Sequence, residues 1–247
     1  MRLVDVTHTA VWADALATGR IVGRSWPTTP RVVVRRLDQD DVDLARRLSD
    51  LTAATPGRAR LRIPVPGDPA GLEPRTISAL PNPWPPAVVL WQPIDVRDGA
   101  AAHAWVPQAG TRDLVVLDEV STARASDIED VATAGRNLSA VMREAAAALT
   151  ALDVAQGRDG AQSRLDAALR SGDLPPGCDP RAVSLLDRAL RLIEAVRIAT
   201  EDEGRTLSSF EVKARRQHLS TVGAAARRAL EAAAAACATP TDTVSRP

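Results

Sequence analysis

Chemistry needs titratable or nucleophilic groups brought together, and this chain offers few of them. Its three histidines are His8, His103 and His218, and none stands in H-x-x-x-H or H-E-x-x-H spacing. Zinc catalysis asks for three converging ligands and an open fourth position. Here only a pair can be built: His103 on one strand, with Asp118 or Glu119 at the end of the next. His103, Asp118 and Glu119 are therefore the candidate catalytic residues. Trp105 beside His103 and Arg124 beyond Glu119 are the candidate ligand-binding residues. Cys178 and Cys237 have no C-x-x-C spacing and no adjacent His, and there is no G-x-S-x-G elbow. The expectation is two free thiols in a reducing cytoplasm, with no metal and no cofactor.

The segment Leu114-Val-Val-Leu-Asp118-Glu119 resembles the Walker B strand of P-loop ATPases. That resemblance implies an Asp holding magnesium and a Glu orienting water. It covers these residues alone. A P-loop needs G-x-x-x-x-G-K-[ST], whose Lys neutralises phosphate, and the chain's one lysine, Lys213, follows no glycine loop. The expectation for Leu114–Leu117 is a buried strand ending in solvated acids. G-x-G-x-x-G is also missing, and Gly19-Arg-Ile-Val-Gly23 reads as a turn beside a strand. Trp84, Trp91 and Trp105 lie around a proline-rich stretch. They could line a groove, but the expectation is that they supply bulk to a core holding one Phe and no Tyr.

Basic and acidic residues balance at 31 each, which disfavours a general binder of nucleic acid or anionic membrane. The charge is nevertheless segregated. Asp113, Asp118, Glu119, Asp127, Glu129 and Asp130 surround the single base Arg124, whereas Arg205, Lys213, Arg215, Arg216, Arg227 and Arg228 face only Glu211 and Glu231. Arg215, Arg216, Arg227 and Arg228 are the candidate partner- or anion-binding residues, and pairing within the protein is the competing use. Arg supplies all bases but Lys213. With abundant Ala and no Tyr, this is the composition of a GC-rich bacterial genome such as an actinobacterial one.

The elements follow from periodicity. Arg2–Val6 alternates and reads as a strand, as do Arg31–Leu37, Arg60–Val65, Ala87–Trp91, Ala102–Val106 and Leu114–Leu117. Asp38–Asp41 supplies N-cap candidates for a helix over Val42–Leu51. The prolines between Pro64 and Pro86 predict loop. From Ile128, the residues Val131, Gly135, Leu138, Met142, Ala145, Leu149 and Leu152 recur in steps of three and four, a coiled-coil-like seam. Its predicted start is a capping box at Ser126 and Glu129. Further helices are predicted over Gln162–Arg170, Pro180–Glu201 and from a second capping box, Ser208 and Glu211. On the third of these four helices, Asp187–Arg191 and Glu194–Arg197 are spaced to pair.

The expected fold is α+β. A small, mostly antiparallel β-sheet with one helix (residues 1–120) precedes an antiparallel helical bundle of three to four helices (121–238) and a disordered tail (239–247). The expected function is non-enzymatic: a cytoplasmic, soluble protein-interaction or self-association module acting through its long C-terminal helices. The partner is a protein or a second copy, with nucleic acid disfavoured and no membrane. The alternatives are an enzyme or small-molecule-binding protein with a polar site where sheet and bundle join, and a DNA-associated protein using the basic C-terminal helix.

Overall fold

The computed structural model describes residues 1–21, 33–36, 39–43, 46, 50–51, 53, 56–94, 102–108, 114–120, 128–151, 161–169, 173–201 and 209–237. The fold is α+β, and the chain divides into two units. The first holds residues 1–128, 171–179 and the C-terminal stretch from Ala234; the second holds 129–170 and 180–233.

The first unit is built on a six-stranded sheet, β1 (Val33–Arg36), β2 (Gln39–Asp43), β3 (Gly57–Arg62), β4 (Val88–Pro93), β5 (Ala102–Pro107) and β6 (Leu114–Val120), in the order β2-β1-β6-β5-β4-β3. The run β3 to β6 is an antiparallel meander, and β1 joins β6 in parallel. Ala87 to Trp91 is buried at every position, as a strand covered on both faces must be. One face carries Val88, Leu90, Ala104 and Val106, packed under Leu72, Ile77 and Leu80. On the other, Trp91 and Trp105 meet edge to face with ring centroids 6.3 Å apart. Gly57 stands opposite this pair, where a Cβ would lie 2.5 Å from Cε2 of Trp91. The indole occupies the space that a side chain would need.

Three sequence expectations are corrected here. Arg2–Val6 is no strand: helix α1 spans Leu3–Ala17. Asp5 accepts from the backbone N–H of Arg2 at 3.2 Å and satisfies part of the helix start. Val4, Val6, Thr7 and every residue from Thr9 to Ala15 are buried. An all-round buried helix has no polar face, so the period that announces a helix is missing. Its buried hydroxyls bond backward, Thr7 to the Leu3 carbonyl and Thr9 to that of Asp5, which removes their desolvation cost. Asp40 and Asp41 cap no helix, because Gln39–Asp43 is β2, antiparallel to β1; of the helix expected over Val42–Leu51, the described residues Arg46, Asp50 and Leu51 are helical, as is Ala53. The stretch 64–86 contains helix α2, Pro74–Ala79, with Pro74 at its first turn. Proline is favoured there, since the missing N–H has no helical acceptor anyway.

The second unit contains α3 (Val131–Ala151), α4 (Ala161–Leu169), α5 (Pro180–Glu201) and most of α6 (Ser209–Cys237). The cap of α3 is Asp130, whose Oδ1 accepts from the Thr133 N–H at 3.0 Å. Ser126, Gly204, Ser208, Arg124 and the tail from 239 lie outside the described residues. The α5 pairs form, Arg191 to Asp187 at 2.9 Å and Arg197 to Glu194 at 2.5 Å. Arg191 and Asp187 are both exposed, and an exposed pair contributes only about 0.3–0.5 kcal/mol. The underside of α5 buries Ala182, Leu185, Leu186, Ala189, Leu190 and Ile198. Among the described residues, no helix is long and apolar enough to cross a membrane.

Candidate functional site

One polar constellation of the first unit begins with a helix end. At the close of α1, Gly19 takes φ +72°, a conformation that costs glycine nothing. The Gly19 N–H bonds the Leu16 carbonyl at 3.0 Å, and the Arg20 N–H bonds that of Ala15 at 2.9 Å. These are the two bonds of a Schellman turn. Ile21 then packs on Trp12, Ala15 and Leu16. The indole N–H of Trp12 donates to the Asp173 carbonyl at 2.8 Å, drawing in the loop that carries Cys178.

Arg20 is fixed at the centre of this arrangement. Its Nη1 donates to the carbonyl of Cys237, the last residue of α6. A cation there complements the negative end of the helix dipole. Its Nη2 donates to the Pro176 carbonyl at 2.8 Å and stands 3.9 Å from Sγ of Cys178. Gly177, at φ +79°, makes the bend between those two partners. Arg20 thus touches both cysteine residues, and each thiol shifts the other. Cys237 is buried, whereas Cys178 is half-buried and also 3.2 Å from the Pro175 carbonyl. Cys237 and the nearby Arg20 charge lower the Cys178 thiol to about 6, against the opposing effect of burial. Cys178, with burial, pushes the Cys237 thiol up. The two shifts run in opposite directions, favouring charge on Cys178 and a proton on Cys237.

A second cluster holds α1 to the sheet. Asp14 is 1% exposed and accepts from Nε and Nη2 of Arg58, each at 2.8 Å, and from the Ala59 N–H at 2.8 Å. Arg60 Nη1 approaches Oδ2 at 3.7 Å. β3 is an edge strand, so this carboxylate covers an N–H that would otherwise be open to pairing with another chain. Burial lowers the Arg60 guanidinium, with Asp14 opposing and Arg58 and Arg62 adding to the effect.

The residues singled out from sequence fall in several places. His103 is half-buried on β5. The β5–β6 register steps from Ala104↔Leu117 to Ala102↔Val120, so Asp118 and Glu119 together stand opposite His103 in the backbone ladder. This is a bulge. The strand runs on to Val120, so those acids lie within it rather than at its end. Trp105 is buried against Trp91 and lines no open groove. Arg124 is outside the described residues. Of the basic set, Arg215 donates to the Ala199 carbonyl near the end of α5 at 3.1 Å, Arg227 is half-buried, and Arg216 and Arg228 are exposed. Among the described residues no group of three or more His, Cys, Asp or Glu is placed to hold a metal ion.

Sequence reasoning missed Arg20, Asp14 and the association of the two cysteines. For Asp14 a signal existed: one acid within a buried apolar stretch, and an Arg at every second position of Gly57–Arg62. A buried carboxylate needs a cation, and a strand with Arg on one face needs an anion. For Cys178 and Cys237 no local signal existed.

Residues 132–231 are similar to the family described as Rv1486c-like protein, C-terminal domain. The match runs from the first turn of α3 into α6. No curated protein and no solved structure matches the chain.

Proposed function

We propose that this protein is a non-enzymatic module that self-associates through its C-terminal helices, with α3 as the contact. The observation that carries this reading is the incomplete cover on the α3 seam. Leu138 and Ala145 are buried, but Ile128, Val131, Met142 and Leu149 of the same stripe are only half-buried. Arg188 of α5 reaches Ser139 Oγ at 3.1 Å and Met142 Sδ at 3.2 Å, which covers the middle of the stripe and leaves Leu149 beyond it. A helix of 21 residues presents about 30 Å of such seam. A second copy would bury the remaining apolar surface as knobs into holes, between the exposed flanks of Arg136, Arg143 and Glu144. The free thiols accord with a reducing compartment such as the cytoplasm.

Sedimentation equilibrium at micromolar concentration tests the proposal. The expected result is a reversible dimer that Leu149→Glu converts to a monomer with unchanged far-ultraviolet circular dichroism. A wild-type chain that stays monomeric across that range removes the proposal.

A second reading, a small-molecule site on the sheet, is favoured by the bulge that sets Asp118 and Glu119 opposite His103. Bulges recur beside binding sites because they re-aim side chains.

A further inference from the structure

We propose that Cys178 and Cys237 form a hydroperoxide-reactive dithiol, in which Cys178 attacks, Cys237 resolves and Arg20 positions the attacking sulfur. Cys178 is half-buried on a loop, so a small oxidant can reach it, whereas Cys237 is fully buried at the end of α6. One guanidinium joins the two residues, Arg20 Nη1 on the Cys237 carbonyl and Nη2 3.9 Å from Cys178 Sγ. A disulfide needs their sulfurs to close to about 2.05 Å, a movement for the loop, with Gly177 at its bend, rather than for the helix. The surroundings sort the roles. The Cys237 thiol and the Arg20 guanidinium favour a thiolate on Cys178, whose thiol lies at about 6; the charge of Asp179 bears on Cys237 instead. Low-pKa accessible thiolates beside a second thiol are the ones that oxidation selects.

The chemistry balances without any other group. The Cys178 thiolate attacks one oxygen of hydrogen peroxide, the O–O bond breaks, and hydroxide leaves. Cys178 is now a neutral sulfenic acid. The negative charge that held the Cys237 proton in place has gone. Cys237 then attacks the Cys178 sulfur as its proton leaves, the S–O bond breaks, and water departs. Two thiols have lost two electrons, and the peroxide has gained them.

The test uses the full chain. Intact mass after treatment with equimolar hydrogen peroxide is expected to show the loss of two hydrogens, and digestion to show one peptide pair linking Cys178 with Cys237. In Cys237→Ser, dimedone is expected to capture a sulfenic acid on Cys178; in Cys178→Ser, Cys237 is expected to stay unmodified. Iodoacetamide labelling of Cys178 in the unmutated protein needs no variant to fold, and its midpoint is expected near pH 6 rather than the ordinary value of about 8.5. The midpoint is the quantity to read, because a lowered pKa also weakens the nucleophile and nearly cancels any gain in rate. Arg20→Gln should move the midpoint up and Arg20→Lys should restore it, which loss of loop packing alone would not do. An unchanged mass after peroxide, a link between two chains, oxidation of Cys237 in Cys178→Ser, or a labelling midpoint at the ordinary thiol value would each overturn the assignment.

Discussion

Replacing Asp14 should loosen the first unit, and the size of the effect can be worked from its contacts. Asp14 accepts two hydrogen bonds from Arg58 and one from the Ala59 N–H, all at 2.8 Å. In Asp14→Ala the Ala59 N–H is left without its acceptor, which costs about 1–3 kcal/mol. Breaking a fully buried ion pair costs about 3–5 kcal/mol. Arg58 is 20% exposed, so part of its charge can rehydrate and the lower end applies. The expected loss is about 3 kcal/mol. Asp14→Asn keeps an acceptor for Ala59 and should lose about 1–2 kcal/mol. Urea unfolding followed by Trp fluorescence reads this directly, since Trp12 and Trp91 are both buried in the first unit. For a chain of this size, 3 kcal/mol corresponds to a fall in Tm of about 6–12 °C. A double-mutant cycle with Arg58→Gln should return a coupling above about 1 kcal/mol. If Asp14→Ala unfolds within about 0.5 kcal/mol of the wild type, the carboxylate is no fastener of α1, and the reasoning from burial is wrong.

Other measurements bear on the remaining elements. Hydrogen bonds from the Thr133 side chain and backbone hold the Asp130 carboxyl below the ordinary carboxylate range. Because its folded value is the lower one, its contribution is present above the unfolded pKa and fades as pH falls through the folded value. Asp130→Asn should therefore flatten the loss of α3 helicity that acid produces in the wild type, read by circular dichroism below about pH 4; an identical acid profile would show that the cap does not titrate. If the sheet binds a ligand at the bulge, a thermal-shift screen of divalent metals and nucleotides should raise Tm, and His103→Ala should abolish the shift. A flat screen removes that reading.

How much of this was legible depends on where each signal resides. β4, β5 and β6 could be read because Val88–Trp91, Ala102–Val106 and Leu114–Leu117 are short, mostly apolar runs, with Gly99 and Gly110 punctuating them. α5 could be read because its apolar residues keep helical spacing and its charges pair along the other side. α1 could not, because burial all round erases the contrast on which periodicity depends. β2 could not, because acids before an apolar run look the same whether they cap a helix or lie in a short strand. The cysteine pair is a different case. Arg20, Cys178 and Cys237 come from three distant stretches of chain, and only tertiary packing brings them together. The same holds for Asp14 and Arg58, though there the residue types alone raised the question.

The first unit takes in residues 171–179 and the turn Ala234–Cys237 as well as the N-terminal stretch. A ribosome delivers these pieces after the strands. Strands β1 to β6 emerge early, but the carbonyl that receives Arg20 emerges only after almost all of the second unit has been synthesised. The early piece must therefore wait, with its α1 end unfinished, while the helices are still being made. The first unit in its final form therefore needs residues 171–179 and the end of α6, which follow its strands in the chain, so strictly vectorial folding of one unit after the other would leave it incomplete.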